Sequence, residues 1–381
     1  MIMKRIILML SAAVLMLACG PKYEKPTQGS DLGFALSFFK EVNRTEGSKA
    51  NVIVSPYSAG VVLSMLEEGA EGTTKEEFAE ALNGCLFKPQ DFSSDPDVTV
   101  KTANSVWVDD DFSIRNRYVS LLENDFDAFI TSLSFSDPAT VKAINNWCSE
   151  NTEGKITGII DKLTSADVMV LVNALYFNAP WGKAFNEENT RKDTFFGADG
   201  EKEVDMMYLK SDFLYAEYQG CQMIQLPYEG DRYVMYVMLP PEGMDVNAMI
   251  PYINETSFKA AVDMLAVKTV RLSMPKYKLE TSMVLNQTLM NMGIRTAFSS
   301  GADFKAISEM GPLQLSLVKQ KCYIDVSEKG TEAAAVTSAQ VRLTAVRPEV
   351  FKIMNVNRPF VFCIMDTQSD NMLFAGKIVK L

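Results

Sequence analysis

Residues 168–177, VMVLVNALYF, constrain this chain more than any other stretch. The run has the length of a strand, and Asn173 is its one polar residue. A strand with no polar alternation is covered on both faces. The rest of the chain must therefore supply cover for two sides of a sheet. With 381 residues, 47% of them apolar, it can do so without disulfides.

The covering elements differ between the two halves. Early in the chain, apolar residues recur at helical spacing. Leu32, Leu36, Phe39 and Val42 follow a Ser30 cap, and Val61, Val62, Met65 and Leu66 follow Ser55-Pro56. Thr73, with Glu76 three residues on, predicts a capped helix through Leu82. Further helices are predicted over 116–126, 139–152, 257–265 and 282–292, the last ended by Gly293. Strand patterns appear at 51–54 and 98–108. They dominate later, at 200–218, 223–227, 233–239, 267–277, 313–326, 359–365 and 372–379. Helices first and hairpin-linked strands later make an α+β fold with mainly antiparallel sheets. Residues 31–381 show no repeat or linker and read as one domain.

Residues 1–18 read as a targeting segment. Lys4 and Arg5 precede an apolar run too short to span a membrane. It ends Met16-Leu17-Ala18-Cys19-Gly20, which resembles the lipobox of bacterial lipoproteins. The resemblance implies a lipid on Cys19 and an exported protein of the cell envelope, at the outer membrane, cell surface or periplasm. A plain secretory cut near Ala18 is the alternative. Residues 19–30, with Pro21 and Pro26, read as a tether.

Several function classes are excluded. A net charge of −11 opposes nucleic-acid binding. The chain has no His, which removes Ser-His-Asp and Cys-His catalysis and every His-containing metal site. CxxC, GxSxG, GxGxxG and phosphate-loop patterns are absent too. Acidic groups such as Glu67-Glu68, Glu76-Glu77 and Asp109–Asp111 read as solvated surface. Beyond Cys19, the scattered Cys85, Cys148, Cys221, Cys322 and Cys363 give no disulfide framework. The reading is a monomer that is not an enzyme and needs no cofactor or metal.

Residues 328–344, EKGTEAAAVTSAQVRLT, have a loop's composition and a strand's pattern. Thr331, Ala333, Ala335, Thr337, Ala339, Val341 and Leu343 form a small or apolar set. Glu332, Ala334, Val336, Ser338, Gln340, Arg342 and Thr344 alternate with them. That is the period-two code of a half-buried strand. Gly330 offers a pivot before it. Two readings stay open: a loop built to become a strand, and a static loop that happens to alternate.

Seven segments in order resemble the serpin family over nearly the whole chain after the tether. They are residues 51–82, Asn145-Asn146-Trp147 with TEGKI at 152–156, and VNALYFNAPWGKAF at 172–185. Met274-Pro275-Lys276-Tyr277 with residues 289–298, and EKGTEAAA at 328–335, follow. Arg358-Pro359-Phe360-Val361-Phe362 and Leu373-Phe374-Ala375-Gly376-Lys377 complete the set. Gln320 and Arg358 stand where many members carry His. The resemblance implies three mostly antiparallel sheets, about nine helices and an exposed reactive loop. It implies a hinge at Glu328, Gly330, Thr331, Glu332, Ala333, Ala334 and Ala335. It also implies a sheet-opening region at Ser55, Ser58, Asn173, Trp181 and Gln320. A serine protease, or in some cases a cysteine protease, would cleave the loop and stay acyl-linked while the loop inserts into the large sheet. Counting along the loop from Gly330 puts the cleaved bond at Thr344-Ala345, which suits elastase- or subtilisin-like targets. Leu343 would admit chymotrypsin-like enzymes and Arg342 trypsin-like ones. A non-inhibitory surface-binding lipoprotein on the same fold is the alternative.

Overall fold

The computed structural model describes residues 30–92, 97–311, 313–331 and 350–381. Its α-helices are α1 (Asp31–Glu46), α2 (Pro56–Gly69), α3 (Gly72–Ala81), α4 (Asn116–Asp125), α5 (Pro138–Asn151), α6 (Val246–Met249), α7 (Glu255–Asp263) and α8 (Asn286–Asn291). The first strands are β1 (Val52–Val54), β2 (Thr99–Asp109), β3 (Phe129–Leu133), β4 (Met169–Pro180), β5 (Arg191–Gly197), β6 (Gly200–Tyr218), β7 (Cys221–Pro227) and β8 (Tyr233–Leu239). The others are β9 (Ala266–Pro275), β10 (Tyr277–Val284), β11 (Leu317–Ser327), β12 (Gly330–Thr331), β13 (Lys352–Asn355), β14 (Phe360–Asp366) and β15 (Asn371–Ile378).

The doubly covered run is β4, in a six-stranded sheet ordered β10-β11-β12-β4-β2-β3. Its side chains alternate between two cores. Leu171, Leu175, Phe177 and Ala179 join the main core, where α2 packs on β4. Val170, Val172, Ala174 and Tyr176 face a second core with Ile144 and Cys148 of α5 and Ile156, Ile159 and Ile160 beyond it. Apolar cover on both sides is why the run lacks polar alternation.

The other strands form a nine-stranded network, β1-β15-β14-β8-β7-β6-β9-β13, with β5 beside β6. The third sheet is continuous with this network through β6, which is 19 residues long. One end of β6 pairs with β7 from Leu214 to Tyr218, and its middle pairs with β9 from Met206 to Tyr215. Most ladders are antiparallel; β11–β4, β2–β3 and β13–β9 are parallel.

Two helix caps are as expected. Ser30 accepts from the Gly33 N–H, and Ser55 accepts from the Ser58 N–H ahead of Pro56. Three expectations need correction. α3 starts at Gly72, one residue ahead of the expected Thr73 cap, with Glu71 at the N-cap position and no side-chain cap. The helix expected over 282–292 shrinks to α8, because residues through Val284 pair with β11 as an edge strand. That ladder outweighs local helical spacing. Asp109 is buried rather than solvated, and its carboxylate accepts the Asp111 and Phe135 N–H groups. The five described cysteines are free. No helix among the described residues is long and apolar enough to cross a membrane.

Candidate functional site

The seam between β4 and β11 is where the central sheet is incomplete. The two strands pair in parallel from Leu317↔Val170 to Tyr323↔Tyr176. Above that point β12 lies between them. Thr331 pairs with Ala179 of β4 and with Val326 of β11, both antiparallel. The first hinge residues are thus already a strand in the seam. Thr331 is fully buried, and its Oγ1 is 2.7 Å from the Tyr228 hydroxyl.

The turn into β12 is held from three sides. Trp181 donates its backbone N–H to the Lys329 carbonyl and its indole N–H to the Ser327 carbonyl, each at 2.9 Å. Its ring stacks on Tyr228 with centroids 4.5 Å apart. Burial pushes the Tyr228 phenol up, so it remains a neutral partner for Thr331. Glu328 accepts from Lys276 at 2.9 Å and from Thr190 at 2.7 Å. Burial opposes its ionisation, but these two donors outweigh burial and hold its carboxyl below the ordinary 4.5. Gly330 is more than a pivot. Its φ is 150°, and a Cβ there would lie 2.2 Å from the Ala179 carbonyl oxygen. Only glycine passes that close to β4.

A polar cluster locks the seam halfway down. Gln320 and Asn173 face each other across the β4–β11 ladder. Gln320 Nε2 donates to Asn173 Oδ1 at 2.6 Å and to the Ser55 carbonyl at 3.0 Å. Its Oε1 accepts from the Ser55 N–H at 2.9 Å. Asn173 Nδ2 donates to Asn104 Oδ1 at 2.6 Å and to the Ser58 hydroxyl. All five residues are buried. The amide of Gln320 has both its ends satisfied and brings no titrating group to this layer. Gln320→Ala removes three buried hydrogen bonds and strands their partners. It is expected to cost about 3 kcal/mol of stability, read as a lower urea midpoint with an unchanged m-value. An unaltered midpoint would show that the cluster does not hold the seam.

The expected site residues therefore fall in two places. Ser55, Ser58, Asn173 and Gln320 come together at mid-seam, whereas Trp181 sits at the top beside the hinge. Asn104, Tyr228, Lys276 and Thr190 also belong to the site. Of these, only Lys276 was named in the sequence reading, within Met274-Pro275-Lys276-Tyr277. Arg358 donates to the Pro240 carbonyl, away from the seam. Glu332, Ala333, Ala334, Ala335, Arg342, Leu343, Thr344, Ala345 and Cys19 lie outside the described residues.

Over residues 30–381 the sequence matches the family described as Serpin (serine protease inhibitor). The chain belongs to the serpin family. An uncharacterized serpin-like protein of Methanosarcina acetivorans is 32% identical over 367 residues, covering 91% of this chain and 85% of its own. The serpin-family relative Iris, from Ixodes ricinus, is 32% identical over 372 residues, covering 92% and 98%. The native-state crystal structure of the thermophilic serpin tengpin matches with a TM-score of 0.83 at 30% identity, covering 95% and 97%. Serpins are in general protease inhibitors rather than enzymes, so the partner class for this fold is a protease.

Proposed function

We propose that this serpin is an irreversible suicide inhibitor of serine proteases. The observation that carries the reading is Thr331, seated between β4 and β11 with the right partner on each side. Continuing both registers extends this strand down the seam. Ala333 would then meet Phe177 and Ile324, and Ala335 would meet Leu175 and Cys322. Six residues beyond Thr331, Thr337 would stand between Asn173 and Gln320. Insertion separates those two side chains, and a threonine hydroxyl both donates and accepts. The one polar residue between Ala335 and Ala339 on this face thus coincides with the one polar layer of the seam.

In this reading a protease attacks the loop at Thr344-Ala345, or at the bonds after Leu343 or Arg342. The ester link to its serine persists while the freed strand zips down the seam and drags the enzyme with it. Elastase-, subtilisin-, chymotrypsin- and trypsin-like enzymes are the candidate targets, with some cysteine proteases beside them. The basic, apolar, cysteine order of residues 4–19 supports export and a lipid anchor at a bacterial envelope. Incubation with elastase, subtilisin, chymotrypsin and trypsin is expected to give an SDS-resistant complex with at least one. The mass of the released C-terminal peptide locates the bond. Clean cleavage without complex across all four would reject the reading.

A further inference from the structure

Sulfur is concentrated on one face of the β7–β8 hairpin. Cys221 and Met223 are two residues apart on β7, so their side chains stand on the same side of the sheet. Met238 of β8 pairs directly with Met223. Met249, the last residue of α6, and Met244 ahead of that helix line the same cavity, of about 120 Å³, which α7 closes on its other side. Five of the thirteen residues around the cavity carry sulfur, in a chain with 22 Met and 6 Cys among 381 residues. Methionine alone fills gaps in many cores. Here a thiol joins it: Cys221 Sγ donates to Met249 Sδ, with 3.5 Å between the sulfurs. Met223, Met238 and Met249 are buried, whereas Met244 is 45% exposed and leaves the cavity open to solvent on its side.

The donor set selects its ligand. Among the described residues no carboxylate, amine or imidazole lines the cavity, so hard cations such as Mg²⁺ and Ca²⁺ meet no anionic oxygen there. A structural zinc ion takes four ligands from thiolate, imidazole and carboxylate, and the cavity offers one thiol. A thiolate with thioethers suits Cu(I). Charge decides in the same direction. Burial pushes the Cys221 thiol up, so it keeps its proton until a metal displaces it. The exchange is Cys221–SH + Cu⁺ → Cys221–S–Cu + H⁺, with the proton passing to solvent and no change of oxidation state. Its product is neutral, whereas a dication on the same thiolate would leave a positive charge in an apolar cavity. We propose that Cys221 and Met249, with a third thioether from Met223, Met238 or Met244, bind one cuprous ion. At about 2.3 Å from metal to sulfur, the zinc–thiolate distance, three sulfurs in a plane stand about 4 Å apart, so the Cys221–Met249 pair has to open by about 0.5 Å. The unbranched methionine side chains allow that shift.

Anaerobic titration of the full-length chain with Cu(I), in competition with bicinchoninate, tests the site. The wild type is expected to take up one equivalent and to show a thiolate-to-copper absorption band in the ultraviolet. Cys221→Ser should lose the band and weaken binding by roughly a hundredfold or more, since even changes outside the ligand set cost about 10–100-fold. Met249→Leu, close to Met in volume, should keep the band and weaken binding roughly tenfold or more. Equal urea midpoints for the metal-free proteins verify that both variants fold. Cys85→Ser, which alters a partly buried thiol outside the cavity, should change neither uptake nor band. Excess Zn²⁺ should not displace the copper. Uptake that survives Cys221→Ser within about twofold is adventitious binding at another thiol and overturns the site. So does a wild type that takes no copper from bicinchoninate. Neither result bears on protease trapping, because none of these residues lies in the seam.

Discussion

Thr331→Arg is expected to abolish trapping and leave a protein that proteases merely cleave. Thr331 is fully buried between Ala179 and Val326, and its hydroxyl meets that of Tyr228. Around that contact lie the rings of Trp181 and Phe177. A guanidinium placed there would have to shed its water against aromatic carbon. The effective cost of such burial is several kcal/mol. The hinge of the variant would therefore stay out of the seam, and the first step of insertion would be uphill. A barrier higher by about 4 kcal/mol slows that step roughly a thousandfold. Hydrolysis of the acyl link then wins the race. Loop cleavage should continue at the wild-type rate while SDS-resistant complex nearly vanishes. Thr331→Ser keeps the hydroxyl and should still trap. Equal complex yield from Thr331→Arg and wild type would remove β12 from the mechanism.

The seam was legible in the sequence only on one side at a time. The apolar run around Asn173 reads as a doubly covered strand, and both cores that cover it are present. Its polar exception does not reveal a partner, because Gln320 is 147 residues away. Parallel pairing of β4 with β11 has no local signature, since no turn joins them. The hinge shows a similar split. The period-two code from Thr331 is local and was readable. The close pass of Gly330 over Ala179 and the hold of Lys276 on Glu328 depend on distant strands. The strands that pattern reading missed, β3, β5, β10 and β13, each have one strand neighbour among the described residues. In such strands tertiary pairing outweighs propensity.

Cleavage of the loop by catalytic amounts of a protease that the chain does not trap is expected to raise the unfolding temperature by roughly 20 °C. In the intact chain β4 and β11 hold each other through one parallel ladder that ends at Tyr323↔Tyr176. Insertion replaces it with two antiparallel ladders about a dozen residues long. Each added hydrogen bond contributes about 0.5–1.5 kcal/mol net, and burying Val341 and Leu343 adds about 1.5–3 kcal/mol apiece. The loss of the Gln320–Asn173 bond and the ordering of the strand oppose this. The balance is on the order of 10 kcal/mol, and a chain of this size gains about 2 °C per kcal/mol. A static loop on a binding protein gives the opposite result, because cutting it changes no pairing in the sheet. Calorimetry before and after complete cleavage, with the cut verified by mass, separates the two. An unchanged midpoint would assign the chain to the non-inhibitory alternative, and β12 would then be a fixed edge of the seam rather than the start of an insertion.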